Sequence, residues 1–403
     1  MSVLIFWLGS VLSFLFVFTI IVFVHEMGHF LAARFLGFKV DAFSIGFGKP
    51  LLNWTDKKGT EWRISALPLG GFVKFAGDAG VASVPDTEKL DEIKKELSPS
   101  ADKKNDATSG IFHFMPVWRR AVVAAAGPCM NFIFAIFIFA SFLTIFGSQY
   151  RNTVVDHVTV GSPAELAGFQ AGDLITSVNG EEIESFQRLA NMVSISANDP
   201  IQFIVKRNGF DLAITATPES VTEADPFGRM AKKGKLGIAP TQEILRKKFN
   251  PLEALVEGSL MTKTAITDQI TFVGRLFRGK GSAEMLGGPM RIFYYAGKVG
   301  SKNTDVAAKD QRTLGQRVIA LILLAGSLSV AIGLINLAPV PMLDGGHLLF
   351  YAYEAVVGRP LNEQVQIIGY KVGFSAVILL LAFATFNDLR YFSVFDFFGR
   401  LFS

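Results

Sequence analysis

Residues 4–36, LIFWLGSVLSFLFVFTIIVFVHEMGHFLAARFL, decide the fold. A helix needs about 20 apolar residues to cross a bilayer, and this run has more. Close to its end stand His25, Glu26 and His29, spaced as HExxH. On a helix, positions i and i+4 share a face, so two imidazole nitrogens can reach one zinc ion at about 2.0–2.1 Å. Glu26 projects beside them, placed to take a proton from water at that ion. Packing or loop contacts could satisfy the same side chains. Ionisable groups in a lipid-facing helix are costly without compensation, however, and a metal supplies it. The run lacks the basic leader and small-residue cleavage site of a signal peptide, so it reads as a retained span.

A catalytic zinc takes three protein ligands and keeps one position open. The third ligand is sought in residues 336–347, NLAPVPMLDGGH, which follow another apolar run. Pro339 and Pro341 end the helix and hold an extended turn. Asp344 then falls at the N-cap position of the next helix, LLFYAYEAVV. A cap alone would explain a lone Asp, but the same carboxylate can also bind metal. His347 is the rival ligand. Asp344 is preferred, because a carboxylate at a membrane-depth turn is harder to explain otherwise; Glu354 and Asp388 are outsiders. Asn336, taken alone, is as well explained as a helix C-cap.

The composition agrees with a chain partly dissolved in lipid. Of 403 residues, 50% are hydrophobic and only 18% charged, with 38 Phe and a mean hydropathy of +0.38. A net charge of +4, without a basic stripe interleaved with aromatics, gives no support to nucleic-acid binding. The single Cys129 excludes an internal disulfide and any multi-cysteine metal site. Four spans are expected: Leu4 to about Leu36, Ala121 to Phe146, Val318 to Leu337 and Ile367 to Phe386. Arg34, Lys39 and Lys49 after the first, with Arg119 and Arg120 before the second, put the intervening loop in the cytoplasm and the N-terminus outside.

Between the spans, the 37–118 loop opens with strand-like runs, Val40 to Gly48 and Leu51 to Ala66, around a turn at Asp56–Gly59. Residues 79–110 read as a solvated, mobile linker. Residues 151–222 read as a separate α+β domain outside the membrane, with turns at Asn179-Gly180 and Asn208-Gly209. In the outer region 223–317, the stretch 251–277 is an amphipathic helix, lying on the membrane surface or packed on that domain. After the third span (318–338) come an active-site loop and helix (339–361), the fourth span (362–388) and a tail.

HEMGH and NLAPVPMLDGG together resemble the site-2 protease family of intramembrane zinc metalloproteases. The likeness extends to Ile45-Gly46-Phe47-Gly48, Pro68-Leu69-Gly70-Gly71-Phe72-Val73-Lys74, Ala126-Gly127-Pro128-Cys129-Met130-Asn131-Phe132 and Leu286-Gly287-Gly288-Pro289. The outer domain resembles a PDZ module of the permuted bacterial kind; the chain departs from the best-known members by having one such module where they have two.

The resemblance implies zinc on His25, His29 and Asp344, with Glu26 as general base. It implies that Asn336 holds substrate backbone, and that Gly46, Phe47 and Gly48 belong to a membrane re-entrant β-hairpin whose edge takes the substrate as an added strand. It implies a multi-pass protein of the bacterial inner membrane, the PDZ-like domain on the periplasmic side and the active site towards the cytoplasm. Implied substrates are single-span membrane proteins, such as an anti-sigma factor or signal-peptide remnants. The PDZ-like domain either captures peptide C-termini or excludes bulky substrates. A catalytically inactive PDZ receptor is the alternative, which the intact Glu26 disfavours. A transporter lacks the internal repeats it would need.

Overall fold

The computed structural model describes residues 2–78, 110–224, 230–279, 287–300 and 313–392. The linker expected over 79–110 falls, but for Gly110, outside the described residues, as do Leu286 and the tail beyond 392. In chain order, α1 (Ser2–Phe35) is followed by β1 (Val40–Thr55), β2 (Glu61–Phe75) and α2 (Val117–Phe146). Next come β3 (Ser148–Tyr150), β4 (Val155–Val158), α3 (Pro163–Ala167), β5 (Leu174–Val178), β6 (Glu181–Glu182) and α4 (Phe186–Ile195). Then follow β7 (Ile201–Arg207), β8 (Phe210–Ala216), β9 (Glu219–Ala224), β10 (Met230–Lys235), β11 (Ile238–Pro240), β12 (Leu245–Lys247) and α5 (Pro251–Phe277). Helices α6 (Pro289–Gly300), α7 (Leu314–Asn336), α8 (Asp344–Val357) and α9 (Glu363–Tyr391) complete the described chain.

Among the described residues, four helices are long and apolar enough to cross a membrane: Leu8–Phe35, Val117–Phe146, Leu314–Asn336 and Gln364–Tyr391. They fall on the four expected spans. The second starts earlier than Ala121, because the Arg119 and Arg120 amides already bond to the Pro116 carbonyl. The third starts at Leu314 because Thr313 and Gln316 form a reciprocal capping box, satisfying two amide donors that the helix start would otherwise leave free.

The chain divides into two compact units. The first holds α1, the β1–β2 pair, α2 as far as Phe139, the Gly258–Ile266 part of α5 and the helices from α6 onwards to Thr385. Its helices meet through small apolar layers: Val17 and Ile21 of α1 on Leu321 and Ala325 of α7, and Ala135 and Ile138 of α2 on Val330 of α7. Strand β1 pairs antiparallel with β2, and both bend. Residues 42–45 therefore lie against 71–74 on one side and against 61–64 on the other. The bend sits at Gly46 and Gly48, with φ of 87° at each, a conformation open to glycine but strained for other residues. An aromatic cluster pins the pair to α1: the Phe30 ring lies 5.5 Å from Phe43 and 5.0 Å from Trp62.

The second unit has its own core. Its four-stranded sheet runs β6-β5-β7-β8, and Ile175, Val178, Phe203, Val205 and Leu189 of α4 are fully buried. The expected turns hold: Asn179 and Asn208 take positive φ (50° and 51°), each followed by glycine, as two-residue hairpin turns require. The domain does not end at residue 222, because β11 returns to pair with β4, Ile238 opposite Val158. Helix α5 opens with a capping box of Asn250 and Glu253. Within this unit, Asp268 and Arg275 of α5 form ion pairs with Arg188 and Asp199. These ion pairs hold that part of the helix on the folded domain.

Candidate metal centre

Helix α1 carries His25, Glu26 and His29 on its last three turns, which run to the β1–β2 pair. Asp344 arrives from the other end of the chain. The loop after α7 is held by the prolines and by Met342, whose φ of 98° is strained for a non-glycine residue. A side chain at Gly345 would strike the Leu337 and Ala338 carbonyls, and one at Gly346 the Val340 carbonyl. Both glycines therefore let the loop fold tightly over the helix start.

Asp344 is not the N-cap that its spacing suggested. Leu343 occupies that position without a side-chain cap, and Asp344 is the first helical residue. Its carboxylate turns to the imidazoles instead of the backbone.

His25 Nε2 lies 3.2 Å from His29 Nε2 and 3.2 Å from Asp344 Oδ2, and His29 Nε2 lies 3.5 Å from Asp344 Oδ1. Among the described residues these three form the one group of His, Cys, Asp or Glu close enough to hold an ion. His347 is outside it, its ring 5.8 Å from Tyr370 and 6.3 Å from Tyr351. Glu354 is engaged elsewhere, paired with Arg120, and Asp388 is fully buried outside the group. Glu26 is half-buried, with His29, His25 and Asp344 as its electrostatic neighbours.

The donor set fits zinc. Tetrahedral coordination at 2.0–2.1 Å places ligand atoms about 3.3–3.4 Å apart, within a few tenths of an ångström of the imidazole–imidazole separation and of each imidazole's distance to one of the Asp344 oxygens. The outer nitrogens are occupied too: His29 Nδ1 donates to the Val123 carbonyl at 2.8 Å, and His25 Nδ1 faces the Asn131 amide at 3.3 Å. Asn336 Nδ2 lies 3.3 Å from His25 Nε2, on the side where an ion would sit. It is the last residue of α7, with Leu337 in the C-cap position that Asn336 alone could have been read to fill.

Spacing in the sequence assigns no role to Gly71 or Gly127. A Cβ on Gly71 would stand 2.9 Å from Glu26 Cγ, so β2 passes directly over the proposed base. A Cβ on Gly127 would collide with the His29 ring. Both lie in stretches that carry the family likeness, and that was the one signal able to find them. Phe47 stacks on Phe72, with ring centroids 6.3 Å apart, and its ring covers Gly70.

The model of the family described as Peptidase family M50 matches residues 13–380. The chain is 40% identical over 397 residues to a protein named metalloprotease MmpA from Caulobacter vibrioides, covering 98% of this chain and 99% of that one. It is 38% identical over 382 residues to a putative zinc metalloprotease of Rhizobium meliloti, covering 94% and 96%. A putative zinc metalloprotease of Brucella suis is 40% identical over 384 residues, covering 94% and 95%. Among solved structures, the PDZ domain of an SdrC-like protein from Listeria innocua is 22% identical, covering 23% of this chain and 96% of that one, with a TM-score of 0.19.

Proposed function

Because the chain belongs to peptidase family M50, we propose that it is a zinc endopeptidase that hydrolyses peptide bonds in or beside the membrane-spanning segments of other proteins. One observation carries the reading: two imidazoles on a helix apolar enough to be a span meet the Asp344 carboxylate of α8 at separations that suit tetrahedral zinc. His25, His29 and Asp344 would hold the ion, which when bound lowers the pKa of water towards about 7 and polarises a carbonyl. Glu26 accepts the proton of the attacking water and passes it to the leaving amine. Asn336 steers the substrate backbone beside the ligands, its amide offering both a donor and an acceptor.

Delivery of the peptide bond is the harder problem. A membrane helix hides its scissile carbonyl in its own hydrogen-bond ladder, and lipid replaces none of those bonds. An edge strand can re-pair the freed groups. Residues 71–74 have 42–45 on one side, and among the described residues no strand lies on the other. That edge passes Glu26. Exposed Leu51, Leu52, Trp54 and Leu67 give the β1–β2 pair an apolar surface suited to a re-entrant hairpin, bent at Gly46-Phe47-Gly48.

The basic residues flanking the first two spans favour an active site near the cytoplasmic face of a bacterial inner membrane, with the PDZ-like domain on the periplasmic side. Single-span proteins, such as an anti-sigma factor or signal-peptide remnants, fit such a site as substrates. In cells co-expressing a tagged single-span substrate, Glu26→Gln should keep zinc, abolish cleavage and leave substrate bound to the enzyme. Undiminished cleavage by that variant would remove Glu26 from the mechanism.

A further inference from the structure

Asn131 takes no part in the steps above, yet it is fully buried against the metal centre. Its Nδ2 lies 3.3 Å from His25 Nδ1, and its buried Oδ1 has no hydrogen-bond partner among the described residues. Those two facts conflict with the use of His25. If Nε2 faces the ion, the ring proton sits on Nδ1, and two donors would then oppose each other while a buried acceptor stays idle. The two ends of a carboxamide have nearly the same shape, so the hydrogen-bond partner decides which end is which. With Oδ1 turned to His25, the Nδ1–H finds an acceptor and the opposed donors disappear.

His29 supplies the parallel: its Nδ1 donates to the Val123 carbonyl at 2.8 Å. Both acceptors come from α2, two turns apart, so a single helix orients both imidazoles. Asn131 is itself braced, because Ser329 of α7 donates to its backbone carbonyl at 3.1 Å and Gly333 of the same helix packs on its Cβ. We infer that Asn131 is a positioning residue, accepting a hydrogen bond from His25 Nδ1 so that tautomer and ring angle present Nε2 to zinc. The inference rests on His25 being a ligand.

The test uses the full-length protein in detergent, stripped of metal and titrated with Zn2+ against a chromogenic chelator, alongside the melting temperature of the metal-free form. Outer hydrogen bonds of this type are worth about 10- to 100-fold in metal affinity. Asn131→Ala should lose that much while its metal-free form melts near the wild type. Asn131→Asp, which keeps the acceptor, should recover most of the affinity. Wild-type affinity in Asn131→Ala overturns the inference, and so does an equal loss in a folded Asn131→Asp. Should Asn131→Asp fail to fold, Asn131→Ala decides alone, since its affinity and melting temperature are separate readings. His25→Ala with wild-type affinity would instead overturn the ligand assignment beneath the inference.

Discussion

His25, Glu26 and His29 were legible in the sequence because helical spacing alone puts two imidazoles on one face. Asp344 was legible as a candidate but not in its local role. Its spacing spoke for an N-cap, whereas the carboxylate turns to the imidazoles. Local propensity lost to a contact made across almost the whole chain. Residues whose importance lies in an absent side chain were silent for the same reason, since nothing near Gly127 in sequence reveals the His29 ring against it. Gly127→Ala should therefore push His29 off its line to Asp344, lowering zinc affinity at least tenfold, as loss of a supporting contact does. Equilibrium titration of the purified variant reads this, and unchanged affinity would show that the helices part to make room.

At the scale of elements, the four spans and the turns at Asn179-Gly180 and Asn208-Gly209 could be read directly. Each depends on hydrophobicity or turn chemistry within a few residues. The pairing of β11 with β4 could not, because it joins strands far apart in sequence, so local signals end the domain too early, at residue 222. The β1–β2 turn carries a pH dependence. Partial burial would raise the Asp56 carboxyl, but amides of Thr60 and Lys58, the Trp62 indole and Arg34 hold it down to about 2. A carboxyl depressed in the fold stabilises above its unfolded value near 3.8 and loses that contribution as pH falls towards 2. Amide exchange at Lys58 and Thr60, which bond to Asp56 Oδ1 at 2.8 and 3.0 Å, should accelerate, after correction for intrinsic rates, as pH drops from about 4 to about 2. Asp56→Asn should show raised exchange already at neutral pH and a flatter acid response. Equal exchange in the two proteins at neutral pH would contradict the assignment.

For the whole molecule, the two halves of the metal centre lie near opposite ends of the chain, with an independently cored unit between them. Membrane insertion is what makes that separation workable, since apolar spans can meet side by side whatever is inserted between them. The charge flanking the spans predicts sidedness. With Cys129 replaced, a cysteine at exposed Glu181 should react with an impermeant maleimide from outside the cell. One at exposed Lys58 should react only in inverted vesicles. The opposite pattern would invert the topology while leaving the chemistry intact.

The whole mechanism depends on one ion held by His25, His29 and Asp344. Its most direct test is the zinc content of unstripped, purified wild type beside Glu26→Gln, Asp344→Ala and His347→Ala. About one zinc per chain is expected in wild type, Glu26→Gln and His347→Ala, and a small fraction of that in Asp344→Ala. A wild type without metal, or an Asp344→Ala protein that keeps its zinc while His347→Ala loses it, would rule out this ligand set.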